Sequence, residues 1–155
     1  MSLKKNIIIG CSVFAGLALL VLIAVIAWVA YVAQSPKGLS ISVDAPTVVK
    51  QDETFTITVQ VINERKSSLQ LGDIDFGDSY IKGFIIISSE PAFKSSQRVP
   101  VINGLSYTFD RALLPQTTNV ISFKLRATHT GSFSGDLDVY EGMRSLSRLL
   151  QTEVK

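Results

Sequence analysis

The pattern of apolar and polar positions changes period once along this chain. From Ile7 to Ala33 it has no period at all: IIIGCSVFAGLALLVLIAVIAWVAYVA is 27 residues without a charged side chain. A helix of that length rises about 40 Å at ~1.5 Å per residue, against a hydrocarbon core of roughly 30 Å. The run therefore predicts a helix able to cross a bilayer with some tilt. Beyond it the period is two. In Thr54–Val61, Phe55, Ile57, Val59 and Val61 point one way and Thr54, Thr56, Thr58 and Gln60 the other. This predicts a strand with one buried and one wet face, as antiparallel sheets have.

Similar runs recur between turn signals. Leu39, Ile41 and Val43 precede Asp44-Ala45-Pro46, and Leu69, Leu71 and Ile74 follow Ser67-Ser68. Phe84–Ile87 is continuously apolar and predicts a central strand buried on both faces. Leu105, Tyr107 and Phe109 alternate with polar neighbours, as do Phe123, Leu125 and Ala127. Phe133, Leu137 and Val139 lead to a turn at Glu141-Gly142, from which Leu146, Leu150 and Val154 return. Within that return, Met143–Leu150 also fits an amphipathic helix, because Leu146, Leu149 and Leu150 have helical spacing; the strand is the preferred reading. About seven or eight antiparallel strands of this kind predict a β-sandwich.

The chain thus divides into a cytoplasmic stub (1–6), a transmembrane helix (7–33), a tether (34–38) and an all-β domain (39–155). The tether, Gln34-Ser35-Pro36-Lys37-Gly38, has the Pro and Gly that end a helix. A cleaved secretory signal would have an apolar stretch of only about 7 to 15 residues and small residues at its end. Here Trp28 and Tyr31 stand there instead and read as interfacial anchors; Val25-Ile26-Ala27 is the least unsuitable cleavage site. Ile8-Ile9-Gly10-Cys11 resembles a lipidation box only superficially, since few apolar residues precede the cysteine. Lys4 and Lys5 flank the helix on one side and only Lys37 closely follows it, so basic residues retain the N-terminus in the cytoplasm and the long segment faces outward. Those two lysines leave 13 Lys or Arg against 13 Asp or Glu in the rest of the chain, so the net charge of +2 resides in the stub. A charge-balanced domain offers no electrostatic case for nucleic acid. Its one cysteine, Cys11, lies in the apolar run, so the outer domain has no disulfide and must rest on an apolar core.

Three stretches carry a resemblance: Val48–Asn63, where Gln51-Asp52-Glu53 feeds the long alternating strand; Ile74-Asp75-Phe76 through Gly83 to Pro91; and Thr130–Tyr140, with its Gly-x-aromatic-x-Gly pattern at Gly131, Phe133 and Gly135. Together they resemble the membrane-anchored immunoglobulin-like β-sandwich modules of bacterial envelopes, of the cell-adhesion-related-domain kind. The likeness spans roughly 39–155 and lies at the level of fold. It implies a binding or spacing module and transfers no functional residue.

Candidate chemistry is sparse. Asp73, Asp75 and Asp78 place three carboxylates within six residues, and oxygen clusters can hold Ca²⁺, although the EF-hand order is not met. Alternating Asp on the wet face of a strand gives the same spacing. His129 is the only histidine and falls at a turn. No Gly-x-Ser-x-Gly, phosphate-binding Gly-rich loop or cofactor motif occurs, and Arg65-Lys66 reads as a solvated loop tip. The chain is therefore expected to be non-catalytic and to need no cofactor. In the helix, Ser12 and Gly16, with Ala24, Ala27 and Ala30, form a small-residue face suited to packing on another span. The partners expected are the bilayer, other transmembrane subunits or envelope proteins, and neither nucleic acid nor a small-molecule substrate. Two functions remain: an accessory or structural subunit of a larger membrane complex, favoured by the short tether and single module, or a free-standing anchored adhesion module recognising an envelope polymer or surface protein.

Overall fold

The computed structural model describes residues 2–155, with the side chains of 2–13, 15 and 102 outside the described set. The chain forms two compact units, residues 1–35 and 36–155. In the first, helix α1 runs over Ser2–Val32. Its described residues include Gly16, Ala24, Ala27 and Ala30, and the exposed rings of Trp28 and Tyr31. Lys4, Lys5 and Ser12 lie outside the described side chains. Among the described residues no helix is long and apolar enough to cross a membrane; within α1 these comprise Phe14 and 16–32, so the first part of the apolar run is not among them.

The second unit is a β-sandwich. Its strands are β1 (Leu39–Asp44), β2 (Val48–Val49), β3 (Thr54–Asn63), β4 (Leu69–Gly77), β5 (Phe84–Glu90), β6 (Ser95–Val99), β7 (Gly104–Leu113), β8 (Thr117–Ala127), β9 (Gly131–Glu141) and β10 (Arg144–Val154), with a one-turn helix α2 (Asp78–Ile81) after β4. One sheet has the order β1-β3-β8-β5 and the other β2-β10-β9-β4-β7-β6. The alternation in β3 is realised as read: Phe55, Ile57, Val59 and Val61 are buried, and the strand pairs with β8 from Thr54↔Arg126 to Asn63↔Thr117. Inward faces of both sheets supply the core, where large apolar side chains leave water at roughly 25 cal/mol per Å².

Several expectations are corrected. Ten strands occur among the described residues rather than seven or eight, and β2 runs parallel to β10. Strand β6 has the sequence SSQRV, whose polarity carries no period-two signal. Phe84–Ile87 is an edge strand, not a central one: β5 pairs only with β8, and Ile85 and Ile87 are about half exposed. A continuous apolar run cannot show which face is covered, and here a bulge between Ile86 and Ser88 shifts the register. The Met143–Leu150 ambiguity resolves to strand, since β10 pairs with β9 along its whole length. That register puts Leu146 opposite Val139 and exposed Leu149 opposite Asp136.

At one end the sheets are plugged by α2. Tyr80 is wholly buried, and its hydroxyl lies 3.0 Å from Thr152 Oγ1, which donates to the Pro46 carbonyl at 2.8 Å. Thr152 has a single proton to give, so the Tyr80 hydroxyl is the donor to it. Gly135 makes this fit possible: a Cβ there would lie 2.5 Å from Ser79 Oγ and 2.9 Å from Tyr80 N. Gly135→Ala should therefore destabilise the domain by about 1–3 kcal/mol through overpacking, read as a lower urea midpoint. Ser134→Ala, on the exposed face of the same strand, should leave the midpoint unchanged.

Candidate functional site

The core face of the six-stranded sheet accounts for Ile74, Phe76, Tyr107, Leu137 and Val139. Strand alternation then directs Asp73 and Asp75 to its outer face, with Ser106 and Thr108 of β7 and Asp136, Asp138 and Tyr140 of β9. The register aligns one polar row across five strands. Asp75 lies between Ser106 and Asp138, Gln97 follows Ser106, and Ser147 follows Asp138. Ser147 Oγ donates to Asp138 Oδ1.

Asp75 is the unusual member of this row, because it is only 6% exposed and its Oδ1 has no hydrogen-bond partner. Burial pushes its pKa up from 3.8 to about 6, against the pull of a Ser106 hydrogen bond, and the charges of Asp73 and Asp138 raise it further. The Tyr140 hydroxyl is also raised, first by burial and then by Asp138 and Asp75. The outward neighbours of Asp75 on these strands, Asp73, Ser106, Thr108, Asp136, Asp138 and Tyr140, include no Lys or Arg, and the exposed Arg111 of β7 lies further along, opposite Leu71.

Of the three carboxylates singled out in the sequence, the fold brings Asp73 and Asp75 to one face and removes Asp78 from the group. Asp78 opens α2 and is held by Arg98 of β6 in an ion pair. Its place is taken by Asp138, which sequence reasoning missed because it lies far along the chain. The outward alternation of Asp136 and Asp138 in β9 was the available signal. Among the described residues no group of three or more His, Cys, Asp or Glu is arranged to hold a metal ion. His129 is exposed in the turn before β9, with Nδ1 2.9 Å from Thr128 Oγ1.

Two open depressions lie elsewhere. One of about 400 Å³ is lined by Thr47, Val48, Ser132, Gln151 and Glu153. A smaller one of about 270 Å³ lies between β1 and β10, beside Ala45, Arg148 and Leu149. Neither reaches Asp75, and neither gathers a nucleophile, base and orienting group. Arg65 is not a free loop tip: it forms a two-pronged pair with Glu141, with Nη2–Oε2 at 2.6 Å, and its Nε donates to the Lys37 carbonyl at 2.6 Å.

No family model matches this sequence, and no curated protein matches it. Among solved structures, the chain is similar to part of Escherichia coli α-2-macroglobulin in its native conformation, at 12% identity and a TM-score of 0.52, covering 77% of this chain and 7% of that one. It is also similar to the cupredoxin domain of amoB from Nitrosocaldus yellowstonii, at 9% identity and a TM-score of 0.50, covering 78% of this chain and 89% of that domain. The CARDB domain of the PF1109 protein from Pyrococcus furiosus, solved with di-metal ions, aligns at 13% identity with a TM-score of 0.48, covering 79% and 93%. The first two likenesses show the fold alone: the domain is a β-sandwich.

Asp75 also makes a testable contribution to stability. A carboxyl whose folded pKa stands above its unfolded value binds its proton more tightly when folded, so stability falls as pH rises from about 3.8 to about 6. The shift corresponds to about 3 kcal/mol at ~1.4 kcal/mol per pH unit. In EDTA, Asp75→Asn should match the wild type near pH 4 and exceed it at pH 8, as measured by urea unfolding at the two values. Equal midpoints at pH 8 would place the charge cost elsewhere.

Proposed function

We propose that this protein is a non-catalytic, single-pass membrane protein whose β-sandwich stands outside the cytoplasm and acts as an accessory or structural subunit of a larger membrane complex. The observation that carries this reading is the uncharged run from Ile7 to Ala33, which coincides almost wholly with α1. A helix that is apolar on every side is stable only inside a large protein or in lipid. The 120 residues of the sandwich unit have a core of their own in which to bury apolar side chains, and α1 belongs to a separate unit.

Orientation rests on Lys4 and Lys5 before the run. The sandwich supports a binding or bracing role, because its depressions are open and, among the described residues, the one hydroxyl–imidazole contact reported above, Thr128–His129, lines neither of them. Gly16, Ala24, Ala27 and Ala30 give α1 small side chains of the kind that let helices approach closely in lipid. A free-standing adhesion module is the competing reading.

The test is to extract the full-length protein from its own membranes in mild detergent and cross-link its neighbours. Retention in the pellet after alkaline carbonate washing, followed by recovery in one stoichiometric assembly with cross-links from Lys37 and Lys66, is the expected outcome. Release by carbonate would remove the anchor. Pellet retention with recovery only as a monomer or homodimer would reject the subunit role and favour the adhesion module.

A further inference from the structure

We propose that the outer face of the six-stranded sheet takes a hard divalent cation of the Ca²⁺ type between Asp75 and Asp138, with Asp73 as the neighbouring charge. This inference is independent of membrane anchoring and concerns a site built by β4, β7, β9 and β10. Its first support is the Asp75 carboxylate, more than nine-tenths buried and with Oδ1 unpaired. A buried charged oxygen without a partner is costly, and structures retain such an atom where a ligand completes it.

The second support is the set of groups that share this face with Asp75. From β4 comes Asp73; from β7, the hydroxyls of Ser106 and Thr108; from β9, Asp138 with Asp136 and Tyr140 beyond it; from β10, Ser147. Each charged group among these is acidic. Asp73 and Asp138 both act on Asp75 through their charge, so each repels the Asp75 carboxylate. A cation between them converts that repulsion into attraction.

Third, the donor set selects the ion. It contains oxygen only, with neither imidazole nor thiolate, which suits Ca²⁺ or Mg²⁺ and disfavours Zn²⁺ or copper. Ser147 occupies Asp138 Oδ1 and leaves Oδ2 to the ion. Two facing carboxylates do not make an all-protein cage, so water completes the shell, and affinity should fall in the weak range of extracellular modules, about 10⁻⁴ to 10⁻³ M. The polar row thereby acquires the positive charge that its own side chains lack.

The experiment uses the full-length protein in detergent at pH 7.5 after EDTA treatment. Ca²⁺ at tenfold excess over its Kd should raise the melting temperature by about 5 °C, and Tb³⁺ should gain luminescence through Tyr140 that Ca²⁺ competes away. Asp75→Asn and Asp138→Asn should each abolish both responses, while Asp52→Asn, in the turn before β3, keeps them. A higher melting temperature of Asp75→Asn in EDTA would show that this variant folds, so its loss of response reports the site. The proposal is overturned if about 10 mM Ca²⁺ leaves the wild type unshifted, ten times the weakest of the affinities given above. It is equally overturned if the wild type and both site variants shift alike, which would place the ion elsewhere.

Discussion

Phe123 of β8 is the point on which the two sheets close. Phe76, Tyr107 and Phe109, all from the opposite sheet, meet its ring edge-on with centroids 5.0, 5.6 and 5.9 Å away. Aromatic pairs at these separations add about 0.5–1.5 kcal/mol each beyond the area they bury. With no cysteine after Cys11, no disulfide can join the sheets, and the sandwich depends on this interdigitation. A second aromatic group, Phe55, Phe84, Tyr80 and Phe133, extends the same contact toward α2. Everything on the outer faces, Asp75 included, inherits its direction from which residues these rings draw inward.

The opposite end of the sandwich is held by polar bonds. Asn63, fully buried at the end of β3, donates through Nδ2 to the carbonyls of Ser67, Leu113 and Leu114, while its Oδ1 accepts from Arg65 N. One amide thus ties the β3–β4 loop to the β7–β8 turn. Arg65 then reaches Glu141 at the start of the β9–β10 turn and the Lys37 carbonyl just before β1. These partly buried, charge-assisted bonds fix where the domain begins, and their geometry is stronger than that of exposed surface pairs such as Lys94–Asp110.

The acidic face shows how local reading reaches its limit. Asp73 and Asp75 were visible as outward positions of an alternating strand, and that assignment follows from side-chain period alone. Asp78 looked like their companion by spacing, yet the chain leaves the strand at Gly77 and starts α2, which turns Asp78 toward Arg98. Asp138 joins the group only because β9 lies beside β4. Strand neighbours of that separation are set by how inward faces pack, which no short window of sequence contains.

Period and composition by themselves determined the apolar helix, the alternating strands β3, β8 and β9, the absence of a disulfide and the two-layer β class, because each follows from local side-chain chemistry. Tertiary structure alone decided which strands are edges, as with β5; that a polar segment such as SSQRV becomes β6; and that β2 joins β10 in parallel. It also decided that Asp75 is buried beside Asp138 rather than solvated beside Asp78. The reason is the same in each case: a strand's partners and the burial of its outer face depend on the sheet around it, while its own residues specify only which side chains point together.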